Sequence, residues 1–359
     1  MTLIQRNSFR QLYAFGKKLP VDLSLSENPL GCSKKIFKLF TSMKQKDFFD
    51  YPDADSTRLK EEIAKRFNVS ADSIFVANGS EAIIKLLPQI LLGRNDVAII
   101  PEVTFPMFEV ATRINGNRIV FSGMTKDFEI NLDDIKDKIT DNTRLVFLCN
   151  PNNPTGKILA KKQILKLVFS TKTNIVVDEA NIEFGGRSVI GETRQFDNLI
   201  VLRTFSKGFG LAGLRIGFCV ANPTIIEKLK QVSQPFPVSG VAQKAAITAL
   251  KDTKFITRTQ RFMAKERVFL TKELLKRGFT VIKSDANNLL VRVNRLFDSS
   301  KDFIRELNLR NVSVVDGNSF GGLGDNFIRI SPRLRTINEK FIKVIDRMIE
   351  ERDKATRKY

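Results

Sequence analysis

The sequence predicts an α/β fold in which helices sandwich a mostly parallel, seven-stranded sheet. The first reason is a series of short runs that are apolar almost throughout, as strands buried on both faces of a sheet are. The second is that helical segments or loops separate most of these runs, as parallel pairing requires. The third is length, since 359 residues can form one large domain and a smaller one. The predicted strands are residues 74–77, 97–100, 118–121, 145–149, 174–177, 199–202 and 216–220.

Apolar residues at helical spacing predict helices on either side of the first strand. Residues 56–67 form an amphipathic pattern, with Ser56 or Thr57 as the N-terminal cap. A second helix is expected over residues 82–92, where Pro88 favours a kink. These helices would cover the sheet.

A smaller α+β domain is expected beyond the sheet. It would contain a helix over residues 259–277 and strands over 280–282 and 288–293. The predicted parts of the chain are residues 1–47 as an N-terminal arm and part of the small domain, residues 48–250 as the large domain, and residues 251–359 as the small C-terminal domain.

The composition excludes several kinds of catalytic and metal site. The chain contains no histidine, which excludes Ser-His-Asp catalysis, Cys-His catalysis and histidine-ligated metals. Its three cysteines, Cys32, Cys149 and Cys219, show neither zinc-site spacing nor a disulfide pattern, which fits a reducing compartment. No secretory signal and no membrane-spanning run is visible, so we expect a cytoplasmic protein without a metal.

The net charge is strongly positive, at +20 from 59 Lys and Arg against 39 Asp and Glu. Such a charge would suit nucleic acid, a membrane surface or an anionic substrate. The basic residues are scattered along the chain, and no basic stretch is interleaved with aromatic residues in a nucleic-acid-binding motif. We therefore expect small-molecule substrates, no nucleic acid and no membrane partner.

Glycine and polar residues follow the ends of five predicted strands. In a parallel sheet these carboxyl ends meet at one edge, where ligands bind. Gly79 and Ser80 open a helix, whose free N–H groups can hold a phosphate. The other groups are a ring, an amide, a carboxylate, two hydroxyls and an amine, which belong to Phe105, Asn153, Asp178, Thr204, Ser206 and Lys207. Each has an ordinary alternative as a helix start, turn, core or capping residue, but their joint occurrence in this order favours one ligand site.

Lys207 is the candidate nucleophile of this site. It lies in a turn between the strand at 199–202 and the apolar run at 216–220, among glycine, phenylalanine, leucine and alanine. Burial among such residues disfavours the ammonium form, lowers the pKa and leaves an amine that can attack a carbonyl carbon. The alternative is that Lys207 is an ordinary surface lysine in a turn. The motif that surrounds it has to distinguish the two interpretations.

Seven motifs together resemble the fold-type I pyridoxal-phosphate enzymes of aminotransferase class I/II, and among them the histidinol-phosphate aminotransferases. The resemblance covers nearly the whole chain, and its most specific parts are the fourth and sixth motifs. It implies a cytoplasmic, homodimeric enzyme of amino-acid biosynthesis. The motifs are SENPLG at 26–31, YPD at 51–53, NGSEAI at 78–83, NPNNPTG at 150–156, VVDEA at 176–180, RTFSKGFGLAGLRIGF at 203–218 and NFIRIS at 326–331.

The resemblance implies how the cofactor, pyridoxal 5'-phosphate, is held. Lys207 links to it covalently and then acts as a general base, while Asp178 keeps the pyridine nitrogen protonated so that the ring can accept electrons. Asn153 donates to the phenolic oxygen, and Phe105 stacks on the ring. The remaining cofactor-binding residues that the resemblance implies are Gly79, Ser80, Glu81, Asn181, Thr204, Ser206, Arg215 and Tyr51.

The resemblance also implies a second subunit and a substrate side. Tyr51 matches a residue that reaches into the neighbouring subunit's site, so a homodimer with composite sites is expected. Arg329 matches the arginine that binds the anionic group of the substrate. Asn28 and Leu30, in the SENPLG turn, are expected to line the substrate side.

Three positions depart from the histidinol-phosphate branch. Asn181 stands where the motif usually continues with a tyrosine that donates to the phenolic oxygen. Leu30 replaces another tyrosine, and the stretch around Val315 lacks an arginine, both of which are implicated in binding a substrate phosphate. Because a phosphate needs charge-assisted hydrogen bonds, the sequence predicts altered phosphate contacts and leaves histidinol phosphate open as a substrate.

The expected function is amino transfer, with pyridoxal phosphate, between an amino-acid donor such as glutamate and an oxo substrate. Leu30 and the pair Thr104 and Phe105 also resemble the threonine-phosphate decarboxylases, so decarboxylation is an alternative. A non-catalytic, aminotransferase-like regulator is another alternative. We do not expect it, because the 25 residues before Ser26 are too few for a DNA-binding domain.

Overall fold

The computed structural model describes residues 19–294 and 296–356, and the expectation for the N-terminal arm lies largely outside these residues. A seven-stranded sheet, in the order β2-β8-β7-β6-β5-β3-β4, forms its centre. Smaller sheets have the orders β12-β13-β10-β9 and β1-β11. The strands are β1 (Val21–Asp22), β2 (Ile74–Ala77), β3 (Val97–Pro101), β4 (Arg118–Ser122), β5 (Thr143–Cys149), β6 (Asn174–Asp178), β7 (Leu199–Thr204), β8 (Gly217–Val220), β9 (Thr280–Ile282), β10 (Leu289–Arg292), β11 (Val312–Ser313), β12 (Val315–Asp316) and β13 (Phe327–Ile330).

All pairings in the large sheet are parallel except those of β8, which runs antiparallel to β2 and β7. This confirms the predicted α/β class and the mostly parallel sheet. The helices of the described chain are α1 (Lys34–Thr41), α2 (Lys46–Phe49), α3 (Thr57–Phe67), α4 (Ser80–Leu91), α5 (Met107–Ile114), α6 (Leu132–Asp137), α7 (Lys161–Phe169), α8 (Pro223–Val232), α9 (Gly240–Leu250), α10 (Thr253–Lys276), α11 (Ser300–Leu309) and α12 (Arg335–Thr356).

The central strands are mostly apolar because each of their faces belongs to a different buried cluster. In β5, Val146 and Leu148 lie in one cluster, while Leu145 and Phe147 lie in the other. Full burial of such a side chain contributes about 1.5–3 kcal/mol. Helices therefore have to cover both faces, which leaves the strand ends as the open part of the sheet.

The small sheet has its own core and also meets the large one. Phe303, Phe341 and neighbouring apolar residues form a cluster between this sheet and the helices α10, α11 and α12. A second cluster joins Val103, which follows β3, to Val315 and Phe320 of the C-terminal part. The small sheet is thus seated beside the strand ends of the large one. The three-part division of the chain stays a prediction.

Two helix starts differ from the sequence expectation, and caps explain both. The predicted cap Ser56 has no capping hydrogen bond from its side chain. Asp53 takes that place, because its carboxylate accepts the N–H of Thr57 at 2.7 Å. Helix α10 begins at Thr253 rather than at residue 259, because Asp252 accepts the N–H of Phe255. No helix in the described part of the chain is both long and apolar enough to cross a membrane.

Candidate active site

Lys207 and Asp178 meet at the carboxyl ends of neighbouring parallel strands. Asp178 is the last residue of β6 and pairs with Leu202 of β7, and Lys207 lies in the turn that follows β7. Burial, together with the nearby charges of Arg329 and Arg215, lowers the pKa of the Lys207 amine to about 8, against the opposing effect of Asp178 and another carboxylate. At neutral pH a substantial minority of this amine is therefore uncharged and nucleophilic.

Asp178 is a buried carboxylate that faces this amine. It is 2% exposed, and Oδ1 accepts the N–H of Ala180 at 2.9 Å. Burial and the charge of Glu179 raise its pKa to about 7, against the hydrogen bond from Ala180 and the charge of Lys207, which oppose the shift. A cation bound against this carboxyl group would keep it ionised. The site thus holds one acid and one amine whose pKa values are both displaced towards neutrality.

A phosphate-sized cradle lies at the start of α4. Gly79 has a φ of +83°, and a Cβ atom there would lie 3.1 Å from Arg215 Nη2. Gly217 of β8 approaches so closely that a Cβ atom would lie 2.4 Å from the nitrogen of Ser80. Arg215 Nη1 donates to Ser206 Oγ at 3.4 Å. Backbone N–H groups, a hydroxyl and a guanidinium therefore converge where a helix N-terminus favours anions.

The other predicted residues of the cradle lie beside it. Glu81 is 3.8 Å from the Arg215 guanidinium. Thr204 is buried, and its hydroxyl oxygen accepts the N–H of Ser206 at 3.1 Å, which shapes the turn before Lys207. All of the predicted phosphate contacts are thus brought together, and their roles stay predictions.

The turn after β5 presents Asn153 to the same cleft. Asn152 anchors the turn, since its amide donates to Val103 O at 2.9 Å and accepts from Thr104 Oγ1 at 2.7 Å. Asn153 is half-buried, and its Oδ1 accepts from Arg329 Nη1 at 3.1 Å. The amide expected to face the cofactor is therefore joined to the arginine expected to face the substrate.

Arg329 is held from three sides. Its Nη2 donates to Ser24 O, and its guanidinium lies 5.8 Å from the centre of the Phe320 ring. On the sheet, Arg329 pairs with Val315 of β12 and Leu290 of β10, both of which are buried and apolar. Val315 belongs to the stretch in which the resemblance implies a second arginine, and that expectation stays a prediction.

Phe105 and Asn181 flank the cleft. Phe105 is half-buried and meets Phe108 edge to face, with 5.6 Å between ring centres. Asn181 is 7% exposed, and its Oδ1 is buried without a partner in the described structure. An unpartnered buried amide oxygen is costly, which fits a side chain whose hydrogen bonds are completed by a bound ligand.

The SENPLG turn braces the lysine turn from the other side. The amide of Asn28 donates to Gly208 O at 2.9 Å and to Thr259 Oγ1 at 3.1 Å, and it accepts the N–H of Leu30 at 3.0 Å. Asn28 therefore supports the backbone next to Lys207 and has little bonding capacity left for a substrate. Leu30 is half-buried in this turn.

Tyr51 lies apart from this constellation within one chain. It is 83% exposed and stacks on Phe236, with 4.7 Å between ring centres. An aromatic side chain this exposed is typical of an interface. Its predicted role in a neighbouring subunit's site stays a prediction.

Sequence reasoning missed three buried charges beside the site. Arg203 of β7 contacts Glu179 at 3.4 Å and also Glu183. All three side chains are at most 5% exposed. Arg203 itself could have revealed them, because it follows a strand run that is otherwise apolar. A charge at such a position is buried only when carboxylates lie close to it.

Comparison with known proteins assigns the family. A model of the family "Aminotransferase class I and II" matches residues 19–345 of the chain. The chain belongs to the class I and II aminotransferase family. This confirms the resemblance to fold-type I enzymes, the expected transaminase activity and the expected cofactor, pyridoxal 5'-phosphate.

Relatives of this aminotransferase with known names agree with that assignment. A histidinol-phosphate aminotransferase of Methanocaldococcus jannaschii is 36% identical over 92% of this chain and 89% of its own length. The structure of the histidinol-phosphate aminotransferase from Clostridium acetobutylicum superposes with a TM-score of 0.82 at 29% identity, covering 90% of this chain and 97% of that one.

An L-threonine-O-3-phosphate decarboxylase from Porphyromonas gingivalis has the same TM-score, 0.82, at 26% identity, and covers 92% of this chain and 98% of that one. The fold therefore does not separate the two reactions, whereas the more similar named relatives favour amino transfer over decarboxylation and over a non-catalytic regulator.

The residues of the cleft fit the cofactor of the family. The glycine cradle, the helix N-terminus and Arg215 suit a phosphate, and Asp178 and Lys207 suit a pyridine nitrogen and an aldehyde. The unpartnered oxygen of Asn181 marks a place where a ligand completes the bonding. The cleft is therefore the candidate binding site for pyridoxal 5'-phosphate.

Proposed function

We propose that this aminotransferase moves an amino group from a donor such as glutamate to an oxo substrate, and that Arg329 binds a carboxylate of both. The observation that carries the proposal is the bond of 3.1 Å between Arg329 Nη1 and Asn153 Oδ1, which sets the arginine at the wall of the cleft that holds Lys207. A carboxylate at Arg329 would bring the adjacent α-carbon to the reacting centre.

Lys207 is the residue we propose for the covalent link and for proton transfer. Bound pyridoxal 5'-phosphate supplies an electrophilic carbon and a ring that accepts an electron pair. The Lys207 amine then takes the proton from the α-carbon of the substrate as a general base. With a pKa of about 8, it is close to the neutral pH at which a base of this kind works best.

Asp178, Asn153 and the cradle residues hold the cofactor in this proposal. Asp178 pairs with the ring nitrogen and keeps a proton there, because a buried carboxylate favours a neighbouring cation. Asn153 directs its amide N–H at the phenolic oxygen while its oxygen stays bonded to Arg329. Ser80, Ser206 and Arg215 bind the phosphate.

A carboxylate suits Arg329 better than a phosphate does. A carboxylate forms two parallel hydrogen bonds with a single guanidinium, whereas a dianionic phosphate gains from a second cation. The side chains that pair with Arg329 across the sheet, Val315 and Leu290, offer no charge. This supports amino acids and oxo acids as substrates over an amino phosphate.

The enzyme is a homodimer in this proposal, and Tyr51 of each chain contributes to the site of the other. Exposed aromatic side chains around Tyr51 support this. Tyr51 stacks on Phe236, and Phe48 and Phe49 lie just before it in the chain; each of these four side chains is at least 44% exposed. Exposed apolar groups at this density mark an interface.

A half-reaction screen tests the proposed reaction. The purified yellow holoenzyme is mixed with single amino donors, and loss of the visible absorption shows that the cofactor has taken up the amino group. Glutamate is expected to bleach the cofactor, and Arg329→Gln is expected to lower its kcat/KM by about 100-fold or more, because a charge-assisted pair is lost. Release of carbon dioxide without bleaching would support decarboxylation. Bleaching by histidinol phosphate alone would contradict the carboxylate assignment.

A further inference from the structure

Three charged side chains are buried directly behind the lysine turn. Arg203 Nη1 lies 3.4 Å from Glu179 Oε2, and Arg203 Nη2 donates to Glu183 Oε1. Glu179 also accepts Ser188 Oγ–H at 2.5 Å and the N–H of Val189 at 2.7 Å. Two acids and one base thus form a connected triad of Glu179, Glu183 and Arg203.

The bonding keeps the arginine charged. Burial by itself lowers the pKa of Arg203, but the carboxylates of Glu183 and Glu179 more than offset this and raise it. The guanidinium also lies over the ring of Phe67, 4.8 Å from its centre. A buried guanidinium is stable only when its partners are well placed. Removing one partner therefore leaves an uncompensated buried charge.

The triad contacts both of the segments that carry the reacting groups. Glu179 directly follows Asp178 and raises its pKa. Glu183 packs against Gly208, the residue after Lys207, where a Cβ atom would lie 2.6 Å from both Cβ and Cγ of Glu183. Arg203, which lies on β7, pairs with both of these acids. The triad therefore connects the end of β6 to the turn after β7.

Gly208 is clamped from two sides as a result. Glu183 lies against its Cα, and Asn28 donates to its carbonyl oxygen at 2.9 Å. With Gly210 N–H bonded to Lys207 O at 3.0 Å, the lysine backbone has little freedom to shift. Loss of Glu183 would remove one side of the clamp.

We propose that Glu179, Glu183 and Arg203 form a positioning triad that fixes the backbone of Lys207 relative to Asp178. The triad acts through Gly208 and the strand ends and does not need to touch the cofactor. The inference rests on the proposed role of Lys207, and it adds residues to which no binding role has been given.

The test compares Glu183→Ala with Glu266→Ala. Glu266 is a suitable control because it is also a buried glutamate, 2% exposed and paired with Arg335 at 2.9 Å, but it lies on α10 outside the triad. Both changes remove a buried carboxylate that is paired with an arginine, and both are expected to lower the melting temperature. Only Glu183→Ala is expected to lower kcat by about tenfold or more with KM nearly unchanged, because misplacement of a reacting group costs turnover.

A spectral titration of the same holoenzymes gives a second readout. Loss of the Glu183 charge leaves Arg203 less compensated, so the pH midpoint of the lysine-bound cofactor's visible absorption is expected to fall. Glu183→Gln retains the packing against Gly208 and is expected to recover most of kcat while keeping the lowered midpoint. If Glu183→Ala does not fold, the pH midpoint measured in Glu183→Gln decides whether the proposal holds. An unchanged midpoint, or the same changes in Glu266→Ala, would overturn the triad.

Hydrogen exchange separates this inference from the proposed function. The amides of residues 205–210 are expected to exchange at least about tenfold faster in Glu183→Ala than in the wild type or Glu266→Ala, since the clamp on the turn is lost. This holds whether or not Lys207 carries the cofactor. Unchanged exchange would contradict the triad. The proposed function would instead be contradicted by a wild-type enzyme in which borohydride reduction attaches no cofactor to Lys207.

Discussion

At the scale of single residues, Lys207 owes its chemistry to its surroundings. The cleft lowers the pKa of its amine to about 8 through burial and the nearby arginines. In the protein freed of cofactor, capture of pyridoxal 5'-phosphate requires the neutral amine. The capture rate is therefore expected to rise about tenfold per pH unit up to about pH 8 and then to level off. Stopped-flow absorption measures it.

Lys207→Ala is the control for this rate. The variant lacks the amine, so the absorbance change that reports capture of the cofactor should disappear. An ordinary lysine stays protonated to above pH 10. A rate that keeps rising beyond pH 9 would therefore show that the cleft does not lower the pKa of the reacting amine.

Asn181 stands where related enzymes have a tyrosine that donates to the phenolic oxygen of the cofactor. Its amide is shorter than a tyrosine and leaves its own oxygen without a partner, so we expect it to stabilise the phenolic oxygen of the cofactor weakly. Asn181→Tyr adds a stronger donor, and one charge-assisted hydrogen bond corresponds to about one pKa unit. The pH midpoint of the visible absorption is expected to fall by that amount in a spectral titration.

An exposed asparagine on α11 offers a matched control for this change. Asn308→Tyr alters the surface only and should leave the midpoint in place. If Asn181→Tyr also leaves it in place, or raises it, Asn181 does not face the phenolic oxygen.

The residues of the site were predictable where the chain has to place them at a strand end. Asp178 ends β6, and Lys207 and Asn153 lie in the turns after β7 and β5, so the meeting of parallel strand ends brings the three residues together. The triad was not predictable in the same way. Its bonds join Arg203 to acids 20 and 24 residues away, and nothing local in the sequence fixes that pairing.

At the scale of elements, the turn of residues 150–156 depends on a glycine. Gly156 has a φ of +69°, and a Cβ atom would lie 2.0 Å from Ser284 Oγ. The Asp285 N–H donates to the Gly156 carbonyl oxygen at 2.9 Å, so the loop between β9 and β10 holds this turn in place. Gly156→Ala is expected to destabilise the protein by about 2–4 kcal/mol, as strain and a clash add, and to weaken cofactor binding by shifting Asn153.

Gly116→Ala separates strain from the clash. Gly116 also has a positive φ, of +83°, but open space surrounds the position of its Cβ atom. It should cost only about 1–2 kcal/mol and leave cofactor binding unchanged. Denaturant unfolding and cofactor titration measure both effects. Equal losses in the two variants would show that the contact with Ser284 does not matter.

The pattern of apolar residues predicts the helices and strands better than the capping residues do. Each of the seven predicted strands overlaps an observed one, because most positions in these runs are apolar and most of the strands are buried on both faces of the sheet. The start of α3 was less predictable. Ser56 is a residue type that often caps helices, but the carboxylate of Asp53 accepts the free N–H of Thr57 from four residues upstream.

At the scale of the whole molecule, the account requires a second subunit. Phe49 is 68% exposed and belongs to the aromatic surface around Tyr51. The molar mass in solution is expected to be twice 40.7 kDa, and Phe49→Asp is expected to favour the monomer and lower turnover by about tenfold or more, since a charge in an apolar interface is costly. Light scattering with steady-state kinetics checks this.

Phe169→Asp is the control for that surface, because Phe169 is 81% exposed at the end of α7. It should leave both the mass and the turnover unchanged. A fully active monomer of Phe49→Asp would contradict the composite site.

The central claim is that the side chain of residue 207 carries the cofactor. Sodium borohydride reduction of the isolated holoenzyme, followed by peptide mass mapping, tests it most directly. The account predicts a pyridoxyl phosphate label on Lys207 and on no other lysine. A labelled lysine elsewhere, or a coloured enzyme that yields no label at Lys207, would contradict it.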